Sequence, residues 1–131
     1  MAHDPSDLGD DALAFLNERH LGSLVTIRPD GTPHGVPVGF SYSPSERLVR
    51  VITQAHSAKA RHASLGCAAS ITQIDGPRWI TLEGTARLIT DADGIAAAVA
   101  AYTARYQEPR SARASTRVAL EIEVTRVMGR F

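Results

Sequence analysis

Apolar and polar residues alternate along six segments of the chain, which is the pattern of half-buried β-strands. These segments are residues 20–28, 33–42, 48–54, 67–73, 78–89 and 116–127. The sequence PDGT separates the first two segments, and DGP follows the fourth; both are typical of tight turns. Because short turns join antiparallel neighbours, the pattern predicts about six strands connected mostly by hairpins.

Three other segments have the character of short helices. Residues 6–19 and 91–106 repeat apolar side chains at the spacing of an amphipathic helix. Residues 58–65 are good helix formers between Ser57, which suits an N-cap, and Gly66, which suits a C-terminal stop. Residues 1–5 carry neither pattern, and we expect a loose tail there.

Many strands with few short helices predict a mainly β (α+β) fold, a small antiparallel barrel in a single domain spanning residues 1–131. Pro37 within the second strand indicates an edge, a bulge or an interruption that faces a ligand. Gly84 within the fifth strand indicates a bulge. The interior of such a small barrel is filled by side chains, so a large ligand must bind outside it. We therefore expect the ligand at the seam of a dimer.

Composition narrows the class of function. The chain has 14 Lys and Arg against 14 Asp and Glu, a formal net charge of zero, which argues against general nucleic-acid binding. Its one cysteine, Cys67, cannot form a disulfide or a cysteine metal site within one chain, and we expect a buried thiol. The N-terminus lacks an apolar signal core and no stretch reaches transmembrane length. We expect a cytoplasmic protein without a membrane or nucleic-acid partner.

The segment from residue 48 to residue 70 carries the clearest binding chemistry. The predicted helix after Ser57 begins with free backbone N–H groups and bears Lys59 and Arg61 near its start. Positive charge and unpaired N–H groups together suit a phosphate. Lys59 and Arg61 are two residues apart, so only one of them can point straight at the ligand. The alternative is a solvated helix that only connects two strands, since no glycine-rich phosphate loop is present.

Protein acid–base or metal chemistry receives little support from the sequence. The histidines are not spaced for a helical zinc site, and no metal is expected. His34 and His56 are expected as polar groups at a strand end or turn, and His62 on the exposed face of the basic helix. No nucleophile elbow or dinucleotide fingerprint occurs. No side chain is therefore expected to be catalytic, and any reaction would belong to a bound cofactor that the protein orients.

Longer stretches resemble a known superfamily. LGSLVTIRPDGTPHGVPVGF, RLVRVITQAHSAKARHA and DGPRWITLEGTARLI resemble the split β-barrel flavin/deazaflavin oxidoreductases, which include the pyridoxamine-phosphate oxidases. More narrowly, DDALAFLNERHL, RYQEPR and TRVMG are similar to the deazaflavin (F420)-dependent biliverdin reductases. The chain ends soon after TRVMG, without the C-terminal segment that completes the vitamin site of the oxidases, so oxidation of pyridoxamine phosphate is not expected.

The resemblance implies a homodimer that binds coenzyme F420 at its interface and reduces a conjugated tetrapyrrole such as biliverdin. It assigns the phosphate and ribityl end of the cofactor to Arg50, Thr53, Ser57, Lys59 and Arg61. It places the deazaflavin ring against Val36, Pro37 and Val38, with Gln73 and Trp79 near the site across the dimer. Two alternatives remain: an FMN-binding oxidoreductase of the same fold, and a non-catalytic carrier of the cofactor or of a tetrapyrrole.

Overall fold

The computed structural model describes residues 2–131, without the side chains of Ala2 and residues 111–113. The strands are β1 (Ala2–His3), β2 (Gly22–Ile27), β3 (Pro33–Val38), β4 (Ser41–Ser43), β5 (Leu48–Gln54), β6 (Cys67–Asp75), β7 (Arg78–Ile89) and β8 (Arg117–Arg130). The helices are α1 (Asp10–Asn17), α2 (Ala58–Ser64) and α3 (Ala92–Arg105), and a short 3₁₀ helix covers Ser111–Thr116. None of the described helices is long and apolar enough to cross a membrane.

One antiparallel sheet contains all the strands, in the order β3-β2-β6-β7-β8-β5-β4, with β1 also paired to β8. Its two ends, β3 and β4, are neighbours along the chain, joined only by Gly39 and Phe40. So short a link obliges the sheet to curl until its ends approach each other, although they do not pair. The fold is thus the predicted mainly β type with short helices, a split barrel that stays open between β3 and β4.

The core lies inside this curl, where the strands place every second side chain. Its centre consists of large side chains at zero to one per cent exposure, among them Phe15, Phe40, Leu24, Ile71, Ile80, Leu82, Leu120 and Ile122. Helix α1 closes one opening with Ala12, Phe15 and Leu16. Cys67 is a half-buried free thiol that packs at the margin of this core.

Two irregularities predicted from single residues are confirmed. Strand β3, which contains Pro37, pairs only with β2 and is an edge of the sheet. The register of β7 against β8 shifts between Glu83 and Gly84, which is the expected bulge. A Cβ at Gly84 would lie 1.8 Å from the carbonyl oxygen of Glu123, so close an approach of two backbones requires glycine.

Two segments form different elements from those that the sequence predicts. The strand predicted over residues 33–42 is two strands, because side chains of α3 take the hydrogen-bonding groups of Phe40. The expected loose tail is wrong, since Ala2 and His3 pair with Met128 and Val127. The additional short strands β1 and β4 raise the number of strands from about six to eight. The extent of the domain, residues 1–131, stays a prediction.

Candidate functional site

A pocket of about 440 Å³ opens beside the gap in the barrel, between β3, β5 with α2, and the segment that leads into β8. Its lining combines backbone-rich edge strand, hydroxyl groups and cations: Pro37, Val38, Gly39, Ile52, Thr53, Gln54, His56, Ser57, Lys59, Tyr102, Pro109, Arg110 and Arg117. No described residue of this lining is an Asp or a Glu. The pocket therefore carries net positive charge in a chain whose formal charge is zero.

The wall formed by β5 and α2 presents two hydroxyl groups. Ser57 caps α2 by accepting a hydrogen bond from the Ala60 backbone N–H at 3.3 Å, and its Oγ lies 3.1 Å from Thr53 Oγ1. This cap uses one of the free N–H groups that the sequence analysis assigned to a phosphate. Since α2 has only seven residues, its dipole is small, and the cationic side chains dominate the attraction for an anion.

Cations enter the pocket from two directions. Lys59 on α2 is half-buried, and this burial lowers the pKa of its ammonium group from the usual value. Arg110 and Arg117 come from the opposite side, where Arg117 Nη2 donates to the Arg110 carbonyl at 2.9 Å. The Ala55 N–H donates to the Thr116 carbonyl at 2.9 Å and ties that segment to the end of β5. The three cations thus surround one space that suits more than one anionic group.

The third wall is the free edge of β3. Pro37 is exposed and has no backbone N–H, while Val38 is buried and Gly39 follows the strand. Because β3 pairs with β2 only, its other edge is open toward the pocket. A flat apolar group with hydrogen-bonding atoms at its rim can lie against such an edge.

Five of the ten predicted site residues line this pocket together: Pro37, Val38, Thr53, Ser57 and Lys59. The other five lie outside the lining. Val36 points inward and packs against the core. Arg61 is exposed and donates from Nη1 to the His56 carbonyl at 2.7 Å, so it braces the turn before α2.

Arg50 is held by two acids rather than directed into the pocket. Its Nη2 donates to both carboxylate oxygens of Glu46 at 3.1 Å, and its Nε lies 3.6 Å from the buried Glu121. Glu121 also accepts two hydrogen bonds from Arg87. Arg50 therefore belongs to a chain of alternating charges on the sheet, and it is not among the residues that line the pocket.

Gln73 and Trp79 lie away from the pocket of the same chain. Gln73 is fully buried, donates to the Phe15 carbonyl at 2.8 Å and accepts from Arg105. Trp79 is half-buried at the start of β7, where it pairs with Ile74 and Arg130. Their assignment to a site shared between subunits is not tested by the single chain and stays a prediction.

The lining includes residues that the sequence analysis did not assign to the site, namely Gly39, Ile52, Gln54, His56, Tyr102 and Pro109. Tyr102 was interpreted only as part of the apolar stripe of α3. Gly39, which follows the strand that contains Pro37, was the available signal for Tyr102, because a glycine there leaves room for a neighbouring ring. The sequence had offered Arg110, Arg113 and Arg117 as cations for the carboxylate tail of F420, with a solvated loop as the alternative. The fold brings Arg110 and Arg117 into the lining.

The expectation of an exposed His62 is wrong. His62 is 7% exposed, and its Nδ1 lies 2.9 Å from Thr26 Oγ1. Its ring meets that of His34 edge to face, with 5.2 Å between the centroids. Burial lowers the pKa of His62, and the charges of His34, Arg28 and Arg61 lower it further. A neutral His62 therefore holds α2, with Ser57 and Lys59, against the β2–β3 hairpin.

A second group of titratable residues lies at the end of α1, where Glu18, His20 and Asp75 place one ligand atom each within 4.8 Å of one another. Arg78 pairs with both acids and lies 2.7 Å from Glu18 Oε2. The hydrogen bond from Arg78 holds the pKa of Glu18 at about 2, well below its usual range. The positive partner of these acids is thus a guanidinium, and the group is an ion-pair network on the surface.

Known proteins resemble this chain over most of its length. The family model for pyridoxamine 5'-phosphate oxidase matches residues 8–130. The chain belongs to the pyridoxamine 5'-phosphate oxidase family. A similar protein, an F420H(2)-dependent biliverdin reductase of Mycobacterium tuberculosis, is 43% identical to this chain over 129 residues. The match covers 98% of this chain and 93% of the relative.

Solved structures of the same fold extend the comparison. The conserved hypothetical protein Rv2991 of Mycobacterium tuberculosis has a TM-score of 0.75 at 23% identity, over 91% of this chain and 81% of its own. A protein described as an F420 reductase has a TM-score of 0.72 at 24% identity, over 92% of this chain and 96% of its own. At this identity the two structures establish the fold, which this member of the oxidase family shares with them.

We expect His62 to make the stability of the protein depend on pH. The pKa of His62 is lower in the folded chain than its unfolded value of about 6.5, so the unfolded chain binds the proton more readily. The free energy of unfolding should fall as the pH drops through that unfolded value. Urea denaturation at about pH 7.5 and about pH 5.5 measures this loss, and His62→Gln should reduce it. Equal losses in both proteins would contradict the assignment.

Proposed function

We propose that this protein is an F420-dependent reductase that transfers hydride from the reduced deazaflavin to a conjugated tetrapyrrole such as biliverdin. The observation that carries the proposal is the acid-free pocket with three cations beside an open strand edge. The relative that is 43% identical, described as an F420H(2)-dependent biliverdin reductase, supports both the cofactor and the substrate class. The family as a whole is named for an oxidase, so the proposal rests on this relative and on the charge of the pocket.

The side chains present fit coenzyme F420. This cofactor joins a flat ring to a phosphate and a tail of carboxylates, and therefore needs an apolar surface with several cations at one side. Lys59, Ser57 and Thr53 would hold the phosphate, and Arg110 and Arg117 would meet the carboxylates of the tail. Pro37 and Val38 would lie against the ring. Arg113, which the sequence offers for the same tail together with Arg110 and Arg117, has a side chain outside the described residues.

Hydride chemistry is what F420 supplies when bound; the protein supplies orientation and a dry surface. The β3 edge would fix one face of the bound ring, and the cations would hold the anionic end so that the ring cannot slide. The described lining holds no Asp or Glu, and its one histidine, His56, is exposed to solvent. Solvent is therefore the simplest source of the proton that completes the reduction.

Two alternatives use the same pocket. FMN also has a flat ring and a phosphate, so an FMN-dependent oxidoreductase would use Ser57 and Lys59 in the same way. A carrier of the cofactor or of a tetrapyrrole would bind without turnover. FMN has no carboxylate tail, and the cations Arg110 and Arg117 opposite Lys59 therefore favour F420.

The direct test is titration of the purified protein with F420 and with FMN, followed by turnover of biliverdin with the reduced cofactor. We expect F420 to bind more tightly than FMN and its reduced form to be oxidised by biliverdin. FMN that co-purifies at one per chain and resists displacement by F420 would establish the FMN enzyme instead. Binding of F420 without oxidation by any bilin tested would favour the carrier.

A charge deletion tests the phosphate site. Lys59→Ala should weaken F420 binding by about 10–100-fold, since a charge-assisted hydrogen bond contributes roughly 1.5–3 kcal/mol. Arg61→Ala is the matched control, because it removes a cation from the same helix but outside the pocket lining. Fluorescence titration measures both affinities. If Arg61→Ala weakens binding as much as Lys59→Ala, the phosphate lies farther along α2 than the pocket indicates.

We further propose a homodimer, with the pocket at its seam. Pro37, Ser23, Thr72 and Thr81 form one row across the outer face of β3, β2, β6 and β7. This face is largely uncharged, and it bears Ile74 at 66% exposure next to Trp79. A second copy on this face would lie beside Pro37 and bring its own Trp79 near the pocket. Location in the cytoplasm also stays a prediction.

The dimer has its own test. Light scattering at micromolar concentration should give twice the mass of the chain. Thr72→Arg should weaken association because it places an unpaired charge in the middle of the face, whereas Thr90→Arg, at an exposed position after β7, should not. A wild-type monomer that still binds F420 would contradict the proposal.

A further inference from the structure

The link between β3 and β4 is held by side chains of α3 rather than by another strand. The Phe40 backbone N–H donates to Tyr106 Oη at 3.1 Å. The Phe40 carbonyl accepts from Arg105 Nη1 at 2.7 Å. Both polar groups of one peptide segment are therefore satisfied by the last turn of a helix that is more than sixty residues away in sequence.

The hydroxyl of Tyr106 has a defined role in this arrangement. Its oxygen lies 2.6 Å from the His20 carbonyl and 3.2 Å from the Phe40 carbonyl. A phenol has one proton to donate, and the shorter distance assigns it to His20. Tyr106 thus accepts from Phe40 and donates to His20, which joins the link to the start of β2.

Arg105 fixes the same link from the other side. Its Nε and Nη2 donate to the Glu18 carbonyl at 3.0 and 2.8 Å, Nη2 also reaches the Gln73 side-chain oxygen, and its guanidinium carbon lies 4.5 Å from the centre of the Phe40 ring. All these partners are neutral oxygens or a ring. Arg105 therefore acts through the fixed geometry of its guanidinium, which a lysine does not reproduce.

The held link continues directly into the wall of the pocket. A Cβ on Gly39 would lie 2.8 Å from Tyr102 Cε2 and 3.2 Å from Tyr106 Cε2, so the backbone lies close to the ring of Tyr102 on α3 and to the ring of Tyr106, which directly follows α3. Pro37, Val38, Gly39 and Tyr102 all line the pocket. The position of this wall relative to Thr53 and Ser57 is consequently set by the end of α3.

We propose that Arg105 and Tyr106 are positioning residues of the reductase: by holding the Phe40 peptide they fix the strand edge against which the cofactor ring lies. This inference rests on the proposed function for its effect on turnover. Its structural part, control of the β3 edge by Tyr106, is independent of any ligand.

The test compares Tyr106→Phe with Tyr42→Phe. Tyr42 also donates its hydroxyl to a backbone carbonyl, that of Pro5 at 2.5 Å, but it lies outside the pocket lining. We expect Tyr106→Phe to lower kcat for biliverdin about tenfold, because small errors in placement are costly to transfer between two bound groups. Tyr42→Phe should stay within about twofold of wild type while losing similar thermal stability.

Two further measurements separate a positioning role from a general loss of stability. The affinity for F420 should change less than about threefold in Tyr106→Phe, because its anionic end is held elsewhere, while the absorbance of the bound cofactor shifts. Arg105→Lys keeps the positive charge but should still lower kcat, because a lysine lacks the planar fork of the guanidinium. A fall in kcat that matches Tyr42→Phe at equal loss of stability would overturn the proposal.

Hydrogen exchange of the ligand-free protein keeps the result interpretable if F420 fails to bind. The Phe40 amide should exchange at least about tenfold faster in Tyr106→Phe than in wild type or Tyr42→Phe, since its acceptor is gone. If the Phe40 amide exchanges faster in Tyr106→Phe but the wild type does not bind F420, control of the β3 edge by Tyr106 is retained and the proposed function is rejected. Unchanged exchange at Phe40 would reject the positioning role regardless of activity.

Discussion

The pocket exists because the sheet is interrupted at Gly39 and Phe40. A continuous strand over residues 33–43 would have paired its edge or closed the barrel, and backbone groups released by a break must find other partners. Arg105 and Tyr106 provide those partners at Phe40. The interruption leaves β3 with one open edge, and that edge, β5 and α2 then enclose a space outside the core.

The charge of that space follows from how the acids are used elsewhere. Glu46 and Glu121 bind Arg50, and Glu18 and Asp75 bind Arg78, so these acids are paired on other faces of the sheet. Lys59, Arg110 and Arg117 remain around the pocket, whose described lining holds no acid. A neutral chain thereby obtains a local anion site, which net charge alone does not reveal.

Local patterns predicted most of the fold. Alternation located β2 and β5 to β8, Pro37 marked the edge, Gly84 marked the bulge, and Ser57 marked the start of α2. Contacts distant in sequence were not predictable from such patterns. His62 is buried because it packs against Thr26 and His34, and Arg50 is paired because Glu121 lies opposite it on β8. The same limit explains why Thr53, Ser57 and Lys59, close in sequence, were identified, whereas Tyr102 was not.

The central claim is that the space between the β3 edge and α2 receives the deazaflavin cofactor. Backbone amide chemical shifts recorded while F420 is added to the protein test it most directly. The account predicts that the largest changes occur at residues 38–39 and 53–59 and around Arg110 and Arg117. Largest changes instead at Ser70 and Gly84, in the groove on the outer face of the sheet, or at Ser41 and Ala104, in the cleft between α1 and α3, would contradict it.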